Sequence, residues 1–378
     1  MPSLSVWEKE SFFAPADIII TGSGLVGLWS AYYLKKREPS LNITIVERGI
    51  IPTGASTRNA GFACFGSLTE LIADLGSSGE ERTLQLVEMR FKGLKRIKKT
   101  FGSKEIGWEK QGGYELIANG DADEIRSHID LLNRLLKNIT GKQKTFHLQN
   151  GLISRFAFGG TQFLVGNPSE AQLHSGLLCQ ALLRLVQSMG VTVLNNIEIA
   201  GFERMGGRLL LHTSLPFPLS ASQLLVATNA FARQLLPQLD VKPARGQVIV
   251  TSPVEGLPFR GTFHYDEGFY YFRDLGNRVL LGGARNLAMA EENTDEMILS
   301  EKIQSGLERF LREVVLPGRT YSIEHRWSGI MGLGAGKMPI LKAVNDQVFC
   351  AVRMSGMGVA LAPVAGEKIA RMMTGAGT

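Results

Sequence analysis

Residues 16–49 read ADIIITGSGLVGLWSAYYLKKREPSLNITIVERG, and few chain topologies accept such a stretch. Ile18 to Ile20 form an apolar run of the kind found in a parallel strand buried on both faces. Gly22, Gly24 and Gly27 follow as G-x-G-x-x-G. The first glycine permits a tight turn, the second close approach of a pyrophosphate, and the third close packing of helix on sheet. A helix beginning near Leu25 aims its unbonded N–H groups and positive dipole end at phosphate. A second apolar run, Ile43 to Val46, delivers Glu47 twenty residues after Gly27, where a carboxylate can accept hydrogen bonds from an adenosine ribose. Strand, helix, strand and acid in register predict a Rossmann-like dinucleotide unit. Glu47 would repel a 2′-phosphate, which favours FAD or NAD over NADP.

Composition narrows the setting. A chain of 378 residues with 44% hydrophobic and 20% charged residues can bury a large core, with two or three domains expected. No apolar run approaches the ~18 residues that span a bilayer. Glu8, Lys9 and Glu10 precede Phe12 and Phe13 without the pattern of a signal peptide. Cys64, Cys179 and Cys350 are scattered and odd in number, which predicts neither a disulfide framework nor a metal site. A reducing cytoplasm is the expected location. The net charge of +6 and pI near 9.2 fit a protein holding an anionic dinucleotide, and nucleic acid is not the expected partner.

Beyond the second strand, Gly54 to Ser67 (GASTRNAGFACFGS) reads as a loop rich in small residues and N–H donors. It can wrap an anionic cofactor, with Ser56, Thr57 and Arg58 near phosphate and Ala60, Gly61 and Phe62 near a flat ring. From Leu84, apolar steps of three and four predict an amphipathic helix whose other face carries Lys92, Lys95, Arg96 and Lys99, a solvated surface. Residues 112–118 predict a strand, and Asp121 with Glu124 opens another helix. A helix from about Glu170 to Met189 followed by strands suggests that the first domain resumes after an insertion. Residues 248–251, 269–273 and 279–282 read as antiparallel strands, and 299–315 as helix. At the far end Ser355 to Gly358 form a second glycine turn before a helix from about Val359. Two such turns at opposite ends of the chain suggest one ligand held by both.

These stations together resemble the D-amino-acid oxidase, glycine oxidase and sarcosine oxidase family of flavoproteins. The resemblance runs through GSGLVG with Glu47, STRNAGF, VATNAF at 226–231, FYYFRDLGNRVLLGG at 269–283, and RWSGIMG with MSGMGVALAP at 326–363. The last two segments are most similar to the gamma-glutamylputrescine oxidoreductase branch. The family implies an α/β fold: a Rossmann-like FAD-binding domain, and a discontinuous α+β substrate domain built on a mixed antiparallel sheet. The FAD-binding domain is expected at 1–104, 150–240 and 325–378, and the substrate domain at 105–149 and 241–324. The resemblance also implies FAD, and oxidation of an amine or amino acid at its C–N bond by hydride transfer and imine hydrolysis, with O2 or another carrier as electron acceptor. Carried over by residue, Gly22, Gly24, Gly27, Glu47 and Arg48 hold the ADP half. Ser56, Thr57, Arg58, Asn59, Ala60 and Gly61 line the pyrophosphate and flavin. Thr228 and Asn229 pass beside the dinucleotide, while Gly356, Met357, Gly358 and Val359 present N–H groups to the pyrimidine edge.

Departures from the family pattern shape the substrate side. Glycine oxidase-like members carry an Arg two residues after a Trp-x-Gly segment, and here Ile330 and Met331 follow Trp327-Ser328-Gly329. The oxygen-activating Lys of sarcosine oxidase-like members has no counterpart in Val279-Leu280-Leu281, and no Cys stands near Met331 for covalent flavin. Non-covalent FAD is expected. The substrate-side candidates are His264, Tyr271, Arg273, Met331 and Lys337, with Tyr270, Arg285 and Trp327 near them. Alternation puts Tyr271 and Arg273 on one strand face and Tyr270 on the other. Arg273 reads as a surface ion pair ahead of a substrate clamp, and His264 as structural ahead of a base. With Met331 in place of arginine, either Arg273, Arg285 or Lys337 meets a substrate carboxylate from another direction or the substrate is an amine lacking an α-carboxylate, and the second is narrowly favoured. Two rival readings are a flavoenzyme acting on a modified tRNA base, motivated by the basic helix, and a flavin-holding subunit of a heteromeric dehydrogenase.

Overall fold

The computed structural model describes residues 4–375. The chain divides into two compact units, the first comprising residues 1–57, 176–243 and 331–378, the second 58–175 and 244–330. These limits differ from the sequence-based ones. Leu68–Ser78 and Glu80–Thr100 are helices that pack with Ala122–Thr140, and residues 58–104, 150–175 and 325–330 fall in the second unit rather than the first.

The first unit is a wound sheet whose strands run in the order Ile340–Ala343, Val348–Val352, Leu219–Val226, Ala16–Thr21, Ile43–Val46 and Thr192–Leu194. Along this path the neighbours are parallel except the Ile340–Ala343 edge, which is antiparallel to Val348–Val352; Arg208–Thr213 also pairs antiparallel with Leu219–Val226, and Ile199–Met205 with Arg208–Thr213. Ile18 to Ile20 are buried, as an all-apolar parallel strand requires. Helices Leu25–Arg37 and Gly358–Met373 pack together in this unit. Gly366 brings their backbones into contact: a Cβ there would lie 2.7 Å from the Trp29 carbonyl carbon and 2.8 Å from Ser30 N.

The second unit is a mixed sheet in the order Ile323–Leu333, Lys242–Thr251, Arg278–Gly283, Tyr270–Leu275, Thr262–Tyr265, Gly113–Ile117, Phe163–Asn167 and His147–Leu148. Thr262–Tyr265 and Gly113–Ile117 pair in parallel, which makes the sheet mixed. One face of this sheet builds an aromatic core from Phe156, Phe158, Phe259, Phe263, Phe272 and Phe310, with helix Glu301–Phe310 over it. Tyr270 belongs to that face and stacks on Phe310 at 4.4 Å between centroids. The opposite face carries the polar residues discussed below.

Two local expectations need correction. The helix expected from Glu170 begins at Ser175, because Ala171–Gln172 is a short strand paired with Phe62–Ala63, and Glu170 is buried as an acceptor for the Phe65 N–H. The 54–67 segment is not a plain loop: it contains a helical turn, Ala55–Arg58, and that same Phe62–Ala63 strand. The basic face of Glu80–Thr100 is solvated at Lys92, Lys95, Lys98 and Lys99, with Lys92 paired to Glu88 at 2.7 Å. Among the described residues no helix is long and apolar enough to cross a membrane.

Candidate active site

The glycine turn of the first unit is built around backbone proximity. Gly22 has φ 95, which a side chain would strain. A Cβ on Gly27 would stand 2.1 Å from the Gly22 carbonyl oxygen, so helix and strand meet only because residue 27 has none. Helix Leu25–Arg37 has no side-chain cap from its N-cap residue, Gly24, and its first amide, Leu25 N, donates to Ser56 Oγ at 2.9 Å. That contact places an oxygen acceptor where a helix N-terminus prefers one. Glu47 is fixed by three donors: Ser23 N and Ser23 Oγ to Oε2 and Gly49 N to Oε1, each at 2.9 Å. Arg48 pairs with Glu198 at 3.5 Å and lies over the Phe231 ring at 4.7 Å. Thr57 Oγ1 donates to Pro52 O at 2.5 Å and braces the turn that carries Ser56.

Beside the glycine turn, Thr228 and Asn229 follow strand Leu219–Val226, and Thr228 Cα would lie 3.7 Å from a Cβ on Gly22. Thr228 Oγ1 and Ser355 Oγ are both buried without a hydrogen-bond partner. Gly356 has φ 79, and helix Gly358–Met373 starts after Met357 without a side-chain cap. Met331 Sδ would be 3.5 Å from a Cβ on Gly356, so its thioether packs over this turn. Lys337 is half-buried in the 334–339 loop.

The second unit contributes side chains rather than amides. Cross-strand registry sets two rows on the face opposite the aromatic core. Asn167, Gly113, Thr262, Arg273, Leu280 and Val250 form one row. Val165, Glu115, His264, Tyr271, Gly282 and Val248 form the next. Gly282 leaves space for Tyr271, whose ring would lie 2.5 Å from a Cβ there. Phe62 meets His264 edge-on at 5.3 Å and Tyr271 at 5.8 Å. Arg58 Nη1 donates to Ser328 O and the Arg58 carbonyl accepts from Trp327 Nε1, both at 2.9 Å. Asn59 Oδ1 accepts from Gly61 N at 2.9 Å and Ser175 Oγ at 2.6 Å, and Ala60 is buried beside Val248, Val250 and Leu280.

Arg273 is not the surface ion pair that the sequence suggests. It is 5% exposed and its Nε has no hydrogen-bond partner. Burial pulls its pKa down, against the opposing fields of Asp274 and Glu109. The adjacent Asp274 carboxylate faces away: it accepts from Arg260 Nη1 at 3.1 Å and Gly261 N at 2.7 Å. His264 is buried, its Nε2 lacks a partner, and burial lowers its pKa to about 4, so the ring is neutral near pH 7. Burial raises Tyr271 to about 12. Lys337 belongs to the first unit, and Met331 stands near the end of strand Ile323–Leu333, where the chain passes from the second unit to the first.

Beneath the face lies a cluster that the sequence reading missed. Glu115 accepts from Ser67 Oγ at 3.1 Å and Thr69 N at 3.0 Å, Glu170 from Phe65 N at 3.0 Å, and Arg90 donates to Phe65 O at 3.2 Å. These side chains clamp the segment that follows Phe62. Burial raises Glu170 to about 8 and also raises Glu115. A signal was available for Glu115, which interrupts the apolar strand Gly113–Ile117. None was available for Glu170.

A family model described as "DAO: FAD dependent oxidoreductase" matches residues 17–372. The chain belongs to this family. It is therefore an FAD-dependent oxidoreductase, and among its relatives is the bifunctional protein ThiO/ThiG of Trichormus variabilis, 24% identical over 238 residues. That match covers 61% of this chain and 35% of the relative, so the chain spans about a third of that protein's length. The probable oxidoreductase OrdL of Haemophilus influenzae is 21% identical over 95% of this chain and 83% of its own. The solved structure of glycine oxidase from Geobacillus kaustophilus superposes with a TM-score of 0.77 at 19% identity, covering 96% of each chain. The shared fold is the Rossmann-like unit and mixed sheet described above.

The first unit's residues fit the family's cofactor. Two helix starts whose N-cap residues supply no side-chain acceptor, the oriented Glu47 carboxylate, and the partnerless hydroxyls of Thr228 and Ser355 match the needs of a dinucleotide: donors for phosphate, an acceptor for ribose. Among the described residues no cluster of His, Cys, Asp or Glu could hold a metal ion.

Proposed function

We propose that this flavoprotein oxidises the C–N bond of a small amino acid, holding FAD without a covalent link. Gly22, Gly24, Gly27, Glu47 and Ser56 hold the ADP half, and Thr228 with the 356–359 turn holds the flavin half. The observation that carries the substrate assignment is Arg273, a buried cation with an unpartnered donor on the same sheet face as His264 and Tyr271. A buried guanidinium is costly unless an anion shares its site, and a carboxylate answers it with bidentate geometry. This reverses the preference drawn from Met331: the cation comes from another strand, so an α-carboxylate has a partner.

FAD held by these residues would supply a hydride acceptor for the carbon that carries the amine nitrogen. The resulting imine is hydrolysed by water to a carbonyl compound and ammonia or an amine. The protein's part is orientation and desolvation. Arg273 fixes the carboxylate, Tyr271 and Phe62 wall the side chain, and the uncharged His264 offers ring nitrogen to the amine without competing for its proton.

Acid precipitation should leave FAD in the supernatant; flavin retained on the pellet would overturn the non-covalent assignment. Anaerobic flavin reduction is then followed for glycine, sarcosine, D- and L-amino acids and their decarboxylated amines. An amino acid should reduce the flavin fastest. If a decarboxylated amine wins, Arg273 does not bind substrate.

A further inference from the structure

Three residues other than glycine hold left-handed backbone around one turn of the first unit: Asn229 (φ 47), Arg353 (φ 62) and Ser355 (φ 47). Side chains rarely adopt this conformation, because Cβ crowds the carbonyl oxygen, and it persists where surrounding contacts over-determine it. Asn229 supplies one set of contacts. Its Oδ1 accepts from Arg353 N at 3.0 Å and from Met354 N at 3.2 Å. Gly332 leaves the necessary room, since a Cβ there would be 2.7 Å from that same oxygen. The Gly332 carbonyl in turn accepts from Ser355 N at 3.2 Å.

Arg353 supplies the second set. Its Nη1 donates to Asp240 Oδ2 at 2.6 Å, and Nε and Nη2 donate to the Met338 carbonyl at 3.1 and 2.9 Å. Asp240 Oδ2 also accepts from Ala335 N at 2.9 Å, which ties the loop carrying Lys337 to the same carboxylate. Three side chains, those of Asn229, Asp240 and Arg353, thus join the chain at 229, 240, 332–338 and 353–355. The joined turn runs directly into the uncapped start of helix Gly358–Met373.

We propose that Asn229 and Arg353 are positioning residues for the cofactor, locking this turn so that the first amides of the 358–373 helix hold a fixed direction towards the flavin and favour its reduced, anionic form. The proposal rests on the reading that this helix start meets the flavin. Oriented N–H dipoles stabilise a developing charge only while they need no reorganisation, and a turn free to relax would lose that advantage. Glycine would satisfy the left-handed backbone at 229 equally well. It would not supply the oxygen that collects the two amides.

The test uses the holoenzyme and its two-electron midpoint potential. In Asn229→Ala the preference for reduced over oxidised flavin should fall about tenfold, a shift of about 30 mV to more negative potential. Asn229→Gly, which relieves the backbone but lacks the oxygen, should shift by the same amount. Arg353→Lys, which keeps the charge but breaks the fork to Asp240 and Met338, should shift in the same direction and decides the matter if Asn229→Ala does not fold. A potential equal to wild type in Arg353→Lys, or recovery of the wild-type potential in Asn229→Gly, overturns the proposal. Wild-type protein that binds no FAD overturns the cofactor reading beneath it, and so the two failures are distinguishable. A merely structural role would lower the melting temperature and leave the potential where it was.

Discussion

In the first unit the groups available to a ligand are mostly main-chain amides, exposed by glycines at 22–27 and 356–358. In the second they are the side chains of His264, Tyr271 and Arg273, aligned by the pairing of separate strands. Both surfaces are polar features set into apolar cores, yet they respond to substitution by different physics. An amide cradle is spoiled by adding atoms, because its donors cannot be deleted one at a time. A side-chain face is spoiled by removing them, and removal there can relieve the protein of a buried charge.

The largest expected effect comes from adding atoms. Gly27→Val should cost the first unit about 4 kcal/mol or more, since even the first added carbon stands 2.1 Å from the Gly22 oxygen. Purified protein should lack FAD and melt at markedly lower temperature; retained FAD at the wild-type melting temperature would break the comparison. Arg273→Met should weaken binding of a carboxylate-bearing substrate by about 2–5 kcal/mol, read from its dissociation constant, the cost of truncating one partner of a buried charge pair. The ligand-free variant should melt no lower than wild type, because methionine removes a buried, unpaired guanidinium. A lower melting temperature would mean that Arg273 has a structural partner.

Two smaller effects sharpen the contrast. Glu47→Ala removes the one side-chain acceptor assigned to the cofactor and should weaken FAD binding by about 1–3 kcal/mol, read by fluorescence titration of apoprotein. Equal affinities would show that the amides alone hold the ribose end. His264→Phe tests the second surface through pH. The folded-state pKa of His264, about 4, lies below its usual value of 6.5, so the unfolded chain binds more protons between these values. Wild-type stability should therefore fall as pH drops through that window, by about 2 kcal/mol at pH 5. The phenylalanine variant should lose this part of the acid sensitivity. Identical slopes of melting temperature against pH would show that His264 does not titrate in this range. Glu170 contributes in the opposite sense, since its folded pKa is raised to about 8 and the stability linked to it fades as pH rises towards that value.

The same contrast explains what the sequence reveals. Gly22, Gly24, Gly27 and Glu47 are legible because one local run contains the strand, turn, helix and acid that give each of them meaning. Strand alternation also separates Tyr271 from Tyr270, and the structure puts Tyr270 on Phe310 and Tyr271 on the opposite face. The burial of Arg273 is not legible. It depends on the pairing of 262–265, the hairpin partner of 270–275, with 113–117, a strand from a distant part of the chain. Glu170 misleads for a related reason. A glutamate before an apolar run looks like a helix start, whereas here it turns inward to hold the Phe65 amide.

Gly366, where two helix backbones touch, also bears on the order in which the molecule is made. Its partners Trp29 and Ser30 leave the ribosome early, and Gly366 follows more than three hundred residues later. By then every residue of the second unit has been synthesised, since that unit closes at Ile330. Residues 224–226 of strand Leu219–Val226 likewise wait for Val348–Val352, while 219–221 already pair with Arg208–Thr213. The nascent chain must therefore carry its most recognisable motif unfinished through most of translation, with an apolar strand edge exposed to other chains. A message broken before codon 348 yields the dinucleotide signature without the final strand and helix of its sheet, a product destined for chaperones and proteases rather than for flavin.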